Sequence, residues 1–341
     1  MKKILIALSG GVDSSVAAGI TANEYEAVGA TMKLYCSKET DLRDAENICK
    51  KIGIPFHLLD FEEDFKNSVI KDFIDTYKNG GTPNPCIVCN KVMKFGKLLE
   101  AAEKFGCDGI ATGHYVKIEY RNGRYCLKKA ADLSKDQSYV LYGLTQKQLS
   151  KTIFPLGNMS KENARKYAEG LSFDNSDKKE SQDICFVPDG DYFKFIESYT
   201  GEKFKKGYFK DKNGSILGTH QGIIKYTIGQ RKGLGLALPQ PMYVCEKNID
   251  TNEVILCTNE ELFEKEVFVS DFNWVSIENP NTKFKANAKI RYNMKEQPCT
   301  VYPLPDNRIK IVFDEPQRAI TKGQSAVVYA NDYVIGGGII E

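Results

Sequence analysis

The chain opens on an unbroken apolar run, Ile4-Leu5-Ile6-Ala7-Leu8. A short run of this kind, with a turn signal directly behind it, reads as a strand buried on both faces. Helical spacing follows over 14–22, then a strand over 27–34 and a helix over 41–52, with Gly53 as its stop. A third strand spans 56–61 and a further helix 62–77. After a loop at 78–85 come a helix over 90–105 and a fourth strand over 107–112. Strands and helices in alternation predict an α/β domain, a doubly wound parallel sheet with helices on both faces.

The pattern then changes. Residues 115–129 alternate as a hairpin with Asn122-Gly123 as a type I′ turn. Helical spacing returns over 139–199, notably at 161–171 and 192–199. Beyond about 200, short alternating segments and frequent glycine dominate, as at 286–292, 299–302, 309–313 and 325–329. These predict small sheets, the last a β-barrel. The expected domains are therefore 1–200, 201–264 and 265–341. No internal repeat is visible.

Composition changes this picture little. The chain has 341 residues, 42% hydrophobic and 27% charged, with a net charge of +2. Near-neutrality gives no argument for a polyanionic partner, so a nucleic-acid surface has to be a local patch. No apolar stretch reaches the length of a membrane span. The apolar start resembles a signal peptide, but Ser9-Gly10-Gly11-Val12-Asp13 follows at once with no credible cleavage site, so a cytoplasmic protein is expected. Ten cysteines in such a chain argue for thiol, metal or redox chemistry rather than a disulfide framework. Cys36, Cys49, Cys107, Cys126, Cys245, Cys257 and Cys299 stand singly in apolar or alternating segments and read as small buried hydrophobes.

Two segments carry chemistry. Ser9-Gly10-Gly11-Val12-Asp13-Ser14-Ser15 lies between the first strand and the first helix. Its glycines allow close backbone approach, and the free N–H groups of the helix start suit an anion. Asp13 repels phosphate, so its role would be to hold Mg²⁺ or orient a nucleotide. Neither G-x-x-x-x-G-K-[ST] nor G-x-G-x-x-G is present. The second segment is Pro83-Asn84-Pro85-Cys86-Ile87-Val88-Cys89-Asn90-Lys91. With Cys89 directly before a helix bearing Lys91 and Lys94, a lowered thiol pKa is expected. The C-x-x-C pair alone is open between half a zinc site, a redox dithiol and coincidence, and the other half of a zinc pattern is missing. Cys185, between Ile184 and Phe186, reads on its own as a core cysteine.

The pattern S-G-G-x-D-S resembles the PP-loop of ATP pyrophosphatases, which transfer AMP to an oxygen. The chain as a whole resembles the tRNA-specific 2-thiouridylases. The resemblance is carried by S-G-G-V-D-S, Thr82-Pro83-Asn84-Pro85 with Cys89-Asn90, Ala111-Thr112-Gly113-His114-Tyr115, Lys135-Asp136-Gln137-Ser138-Tyr139 and Asp183-Ile184-Cys185-Phe186. It continues through Gly229-Gln230-Arg231-Lys232-Gly233-Leu234-Gly235, Gly323-Gln324-Ser325-Ala326 and Gly336-Gly337-Gly338-Ile339-Ile340. These motifs run in order over essentially the whole chain.

The resemblance implies an enzyme that adenylates O2 of the wobble uridine of tRNA with ATP and Mg²⁺, then delivers persulfide sulfur. It places the nucleotide on Ala7, Leu8, Ser9, Gly10, Gly11, Val12, Asp13 and Ser14, with Met32 and Gly113. Cys185 would carry the persulfide, and Cys89 would be the second thiol, in transient disulfide with Cys185. Transfer of RNA contacts implies Asn84, Pro85, Cys86, His114, Lys135, Asp136, Gln137, Arg291, Tyr292 and Gln324. Cys86, Cys89 and Cys185 either hold a four-iron iron–sulfur cluster or work as metal-free thiols. A cysteine desulfurase or sulfur-relay protein would donate sulfur to a monomeric chain. Two other readings stand beside this one. A PP-loop ligase acting on a small carbonyl compound leaves the two thiols without roles. A nucleotide-sensing tRNA module leaves Asp13 and Cys89 unexplained.

Overall fold

The computed structural model describes residues 1–171, 173 and 183–341. Strand β1 (Lys3–Ala7) leads into helix α1 (Val12–Glu24), then β2 (Glu26–Lys33), α2 (Glu39–Ile52) and β3 (Phe56–Asp60). β4 (Gly109–Ala111), the hairpin β5 (Val116–Arg121) and β6 (Arg124–Lys129), and β7 (Thr152–Ile153) follow. The order β3-β2-β1-β4-β7 forms an all-parallel sheet. The side chains of β1 explain its unbroken apolar run. Ile4 and Ile6 pack with α1, α2 and the helix Lys161–Gly170, while Leu5 packs on the opposite face with Phe95, Leu98 and Ala102. A strand covered on both sides has no polar positions to spare.

Two features of this sheet were not visible in the chain pattern. β7 is a two-residue strand, too short to show a period. The expected helix over 90–105 instead starts at Pro85, passes through a π-helical stretch Cys89–Lys97 and ends as Leu98–Lys104. Proline at the first helical position needs no N–H partner, which is why the helix begins there. Of the expected helical stretch over 139–199, residues 172 and 174–182, with Glu180, Ser181 and Gln182, lie outside the described residues.

A second sheet joins β8 (Gly207–Asp211), β9 (Ile216–His220), β10 (Tyr243–Asn248) and β11 (Glu253–Cys257) in the order β10-β11-β8-β9. The last part holds β12 (Phe263–Trp274), β13 (Phe284–Lys289), β14 (Gln297–Leu304), β15 (Arg308–Arg318), β16 (Ser325–Ala330) and β17 (Tyr333–Ile340). These run β12-β15-β14-β13-β16-β17, and β12 also pairs with β17, so the sheet closes into a six-stranded barrel. Closure leaves no exposed edge.

The hairpin of the first domain forms as expected, with Asn122 and Gly123 both at positive φ (51° and 77°). Its destination is the surprise. β6 pairs with β17 through Lys128 and Tyr333, so the hairpin extends the barrel sheet rather than the parallel one. Tyr139 and Tyr142 reinforce that junction by hydrogen-bonding the Ser325 carbonyl (2.8 Å) and hydroxyl (2.9 Å). The barrel is thereby pinned to the parallel-sheet domain. Among the described residues no helix is long and apolar enough to cross a membrane.

Candidate active site

The strand order changes direction between β1 and β4, and ligands of open α/β sheets sit outside the carboxyl ends of the strands at such a point. The Ser9–Ser14 loop leaves β1 there, and Gly113 follows β4. Gly10 has φ +72°, and a Cβ on it would sit 2.4 Å from the Asp41 carbonyl oxygen. A Cβ on Gly113 would sit 2.7 Å from the Asp13 carbonyl carbon and 2.8 Å from the Ser14 nitrogen. Both positions therefore need glycine for two backbones to meet. Ser14 and Ser15 donate to the Gly11 carbonyl (2.8 and 3.0 Å), and the Ser9 N–H donates to the Ser14 hydroxyl at 3.2 Å. Gly11 caps α1 without a side chain, so no oxygen blocks the N–H groups at the helix start.

Asp13 is engaged by protein side chains in this arrangement. Its carboxylate accepts from Lys161 Nζ at 2.8 and 2.9 Å and from the Tyr115 hydroxyl at 2.7 Å. The partner is brought there by packing. Gly19 of α1 lets Leu171 and Tyr167 press close, which lays the helix Lys161–Gly170 against α1 and points its first residue at the loop. Paired in this way, the Asp13 carboxylate holds the loop in shape. Lys161 gave no sequence signal, since it is simply the first residue of an amphipathic helix.

The thiols gather on the same side of the domain. Met32, Cys36, Val88, Cys89 and Ile184 pack against one apolar cluster built on Phe65, Met93 and Phe186. Cys185 and Cys86 are exposed, and Cys36 and Cys89 are half-buried. Cys86, Cys89 and Cys185 lie close enough to influence one another electrostatically, and Lys94 faces all three. Cys89 and Cys185 are among the groups whose charges influence each other. Two expectations fail. Cys89 stands inside the helix rather than before it, and burial pushes its thiol up to about 11, with Lys94 only partly offsetting the effect. Cys36 is half-buried rather than a core residue, and interaction with Cys185 lowers its thiol pKa while raising that of Cys185. One signal pointed to it, since it follows β2 at the carboxyl edge of a parallel sheet. Cys185, in turn, is exposed, while Phe186 and Val187 beside it are buried. Among the described residues no group of three His, Cys, Asp or Glu side chains is placed to hold a metal ion.

The residues expected at tRNA serve as braces here. Asp136 accepts from the Ala130 N–H (3.0 Å) and the Ser138 hydroxyl (2.6 Å), and Gln137 accepts from the Tyr115 N–H at 2.9 Å. Lys135 sits half-exposed on the same loop. Arg291 donates to the carbonyls of Arg318 and Ala319. Tyr292, 40% exposed, reaches the Asp136 carbonyl at 3.4 Å. Gln324 donates to the carbonyls of Thr82 (2.9 Å) and Pro83 (3.2 Å), tying the barrel to the turn that precedes Asn84, Pro85 and Cys86. His114 is buried between Phe95 and Phe154 with Nδ1 2.9 Å from the Thr112 hydroxyl. Burial, helped by Lys94, holds it neutral, well below the usual histidine range.

Comparison with known proteins agrees with this architecture. Family models match in succession: the tRNA methyl transferase HUP domain over residues 2–189, the tRNA methyl transferase PRC-barrel domain over 193–258, and the aminomethyltransferase beta-barrel domain over 264–340. The chain is 47% identical over 354 residues to the tRNA-specific 2-thiouridylase MnmA of Clostridioides difficile (strain 630), spanning 100% of this chain and 98% of that protein. It is 46% identical over 356 residues to the protein of the same name from Acetivibrio thermocellus, spanning 100% and 99%. With a family model over more than half its length and relatives matched end to end, the chain belongs to the tRNA-specific 2-thiouridylase (MnmA) family.

Proposed function

We propose that the chain is an ATP-dependent tRNA-uridine 2-sulfurtransferase that replaces O2 of the wobble uridine with sulfur. The observation that carries this reading is the gathering of Cys89 and Cys185 on the side of the parallel sheet that bears the phosphate loop. Uridine O2 is a poor leaving group and AMP a good one, so an adenylating loop and a sulfur-carrying thiol belong in one protein. The loop Ala7–Ser14, with Met32 and Gly113, would hold ATP through backbone N–H groups, and attack of uridine O2 on the α-phosphorus would expel pyrophosphate.

Cys185 would carry the persulfide. Its outer sulfur attacks C2 of the adenylated base, and AMP leaves with the C–O electron pair. Cys89 then attacks Cys185 Sγ, the sulfur–sulfur bond breaks towards the base, and 2-thiouridine departs as a Cys89–Cys185 disulfide forms. Lys94 would favour each thiolate in turn. Burial holds Cys89 largely protonated, so Lys94 is the group that would favour its thiolate. The sulfur chemistry is assigned to the thiols themselves.

The tRNA would lie over Asn84, Pro85 and Cys86, the Lys135–Gln137 loop, Arg291, Tyr292 and Gln324, with stacking and edge hydrogen bonds for an extruded base. His114 would support this surface from beneath. In this reading residues 1–200 form the catalytic domain, 201–264 a tRNA-contacting domain and 265–341 the barrel. A desulfurase or sulfur-relay protein would load a monomeric, cytoplasmic enzyme. The test is AMP formation and thiouridine content with purified tRNA. Wild type should form AMP only with tRNA present, and Cys185→Ser should bind ATP but make no thiouridine. Thiouridine made by that variant would remove Cys185 as the carrier.

A further inference from the structure

Lys161 brings a positive charge to the phosphate loop from a distant part of the chain. Its backbone is fixed where the helix Lys161–Gly170 begins. Ser160 caps that helix by accepting from the Asn163 N–H (3.2 Å), and the Lys161 N–H donates to an Asp132 carboxylate oxygen at 3.1 Å. From there the side chain runs to the loop, 12% exposed, and its Nζ donates to both oxygens of Asp13 at 2.8 and 2.9 Å. The Tyr115 hydroxyl donates to the same carboxylate, and the Tyr115 ring centre lies 5.9 Å from Nζ. A lysine stem is flexible and costly to order, so a backbone tied at one end and two bonds to one carboxylate at the other mark a cation placed in advance.

Asp13 lies in the first turn of α1, where unblocked N–H groups and the positive helix end suit an anion. A carboxylate there repels phosphate; an ammonium held on it offsets that charge and supplies a charged donor. We propose that Lys161 is a catalytic residue of the adenylation step: its ammonium binds the β- and γ-phosphates of ATP and stabilises pyrophosphate as it leaves. The role rests on the loop holding ATP, as set out above. In the step, uridine O2 bonds to the α-phosphorus, the bond from that phosphorus to the bridging oxygen breaks, and its electron pair leaves on pyrophosphate. The N3 proton of the base passes to solvent. Lys161 keeps its own proton throughout and shares its N–H bonds between Asp13 and the departing group.

The placement favours the leaving group over the α-phosphate. The α-phosphorus has to stay open to an incoming base, whereas Lys161 is the less exposed member of its pair with Asp13. Pyrophosphate also gains charge as the bridging bond breaks, so a cation fixed beside it acts more strongly on the transition state than on the bound nucleotide. Asp13 then positions the cation, and Tyr115 positions Asp13.

The test compares the full-length wild type with three variants. Lys161→Gln keeps an N–H for Asp13 but no charge, Lys161→Arg restores the charge, and Tyr115→Phe removes the other bond to Asp13 while leaving Lys161 in place. Equilibrium dialysis with magnesium and without tRNA measures ATP and AMP affinity. Pyrophosphate release is then followed at saturating ATP and tRNA, and thermal unfolding reports that each variant is folded. In Lys161→Gln the preference for ATP over AMP should fall by at least about tenfold, and pyrophosphate release by about a hundredfold or more. Lys161→Arg should recover most of the preference, and Tyr115→Phe should hold it within about twofold of wild type whatever its thermal midpoint. Equal loss of ATP and AMP affinity in Lys161→Gln, a preference left unchanged, no recovery in Lys161→Arg, or a Tyr115→Phe as deficient as Lys161→Gln reduces Lys161 to a brace and overturns the proposal. A wild-type chain that binds neither nucleotide overturns the reading of the loop itself.

Discussion

The burial of Cys89 has a measurable consequence. With its thiol at about 11, ionisation at pH 7.5 leaves roughly 0.03% thiolate, against roughly 9% for an ordinary cysteine near 8.5. The ratio is about 300. A more basic thiolate is also the better nucleophile, and a Brønsted coefficient of about 0.4–0.5 over that interval returns about ten- to eighteenfold. Cys89 should therefore react about seventeen- to thirtyfold more slowly than a free thiol before any shielding is counted. The assay exposes the tRNA-free chain to a small aromatic disulfide, quenches with acid and quantifies the Cys89 peptide across pH. Shielding scales the rate but does not move the profile. The rate should climb about tenfold per pH unit from 7 to 9.5 without levelling. Lys94→Met should slow it further, because Lys94 is the group that lowers this pKa. A profile that levels below about pH 8.5 would refute the burial argument and restore the activated thiolate expected from the sequence.

Asp13→Asn removes the charge of the carboxylate that Lys161, 12% exposed, pairs with. It should destabilise the chain by about 1–3 kcal/mol and stop tRNA-dependent AMP formation, read by thermal unfolding and AMP assay; an unchanged midpoint would show that the pair is no brace. Gly113→Ala drives a methyl into the Asp13–Ser14 backbone at 2.7–2.8 Å, so ATP affinity should fall by an amount equivalent to about 1–3 kcal/mol in equilibrium binding. Affinity within twofold of wild type would mean the loop is not where ATP binds. Gln324→Ala removes both bonds to the Thr82-Pro83 turn, and amide exchange over 82–90 should speed up by a factor equivalent to about 1–2 kcal/mol. Exchange confined to its original rate would leave the barrel without a part in holding that turn.

The parallel sheet, its phosphate loop and the barrel strands were legible in the chain because each depends on local rules. β1 is apolar throughout since both its faces are covered, Gly53 ends α2 at φ 74°, and Asn122-Gly123 turns the hairpin with both residues at positive φ. Motif order was enough to place the chain among the 2-thiouridylases. What side chains meet across the fold was not legible. Whether Asp13 faces a cation or Lys161 depends on how a helix almost 150 residues away packs on α1. Lys91 and Lys94 beside Cys89 suggested a thiolate, but desolvation by the surrounding cluster outweighs the field of Lys94, and burial is a property of the whole fold. Cys36 looked like any other small hydrophobe, yet the turn after β2 leaves it only half-buried. Sequence fixes periodicity, turns and motif identity, because those are set by neighbours along the chain. Only the tertiary structure decides which groups lose water and which charges and thiols pair, because those energies are set by neighbours in space.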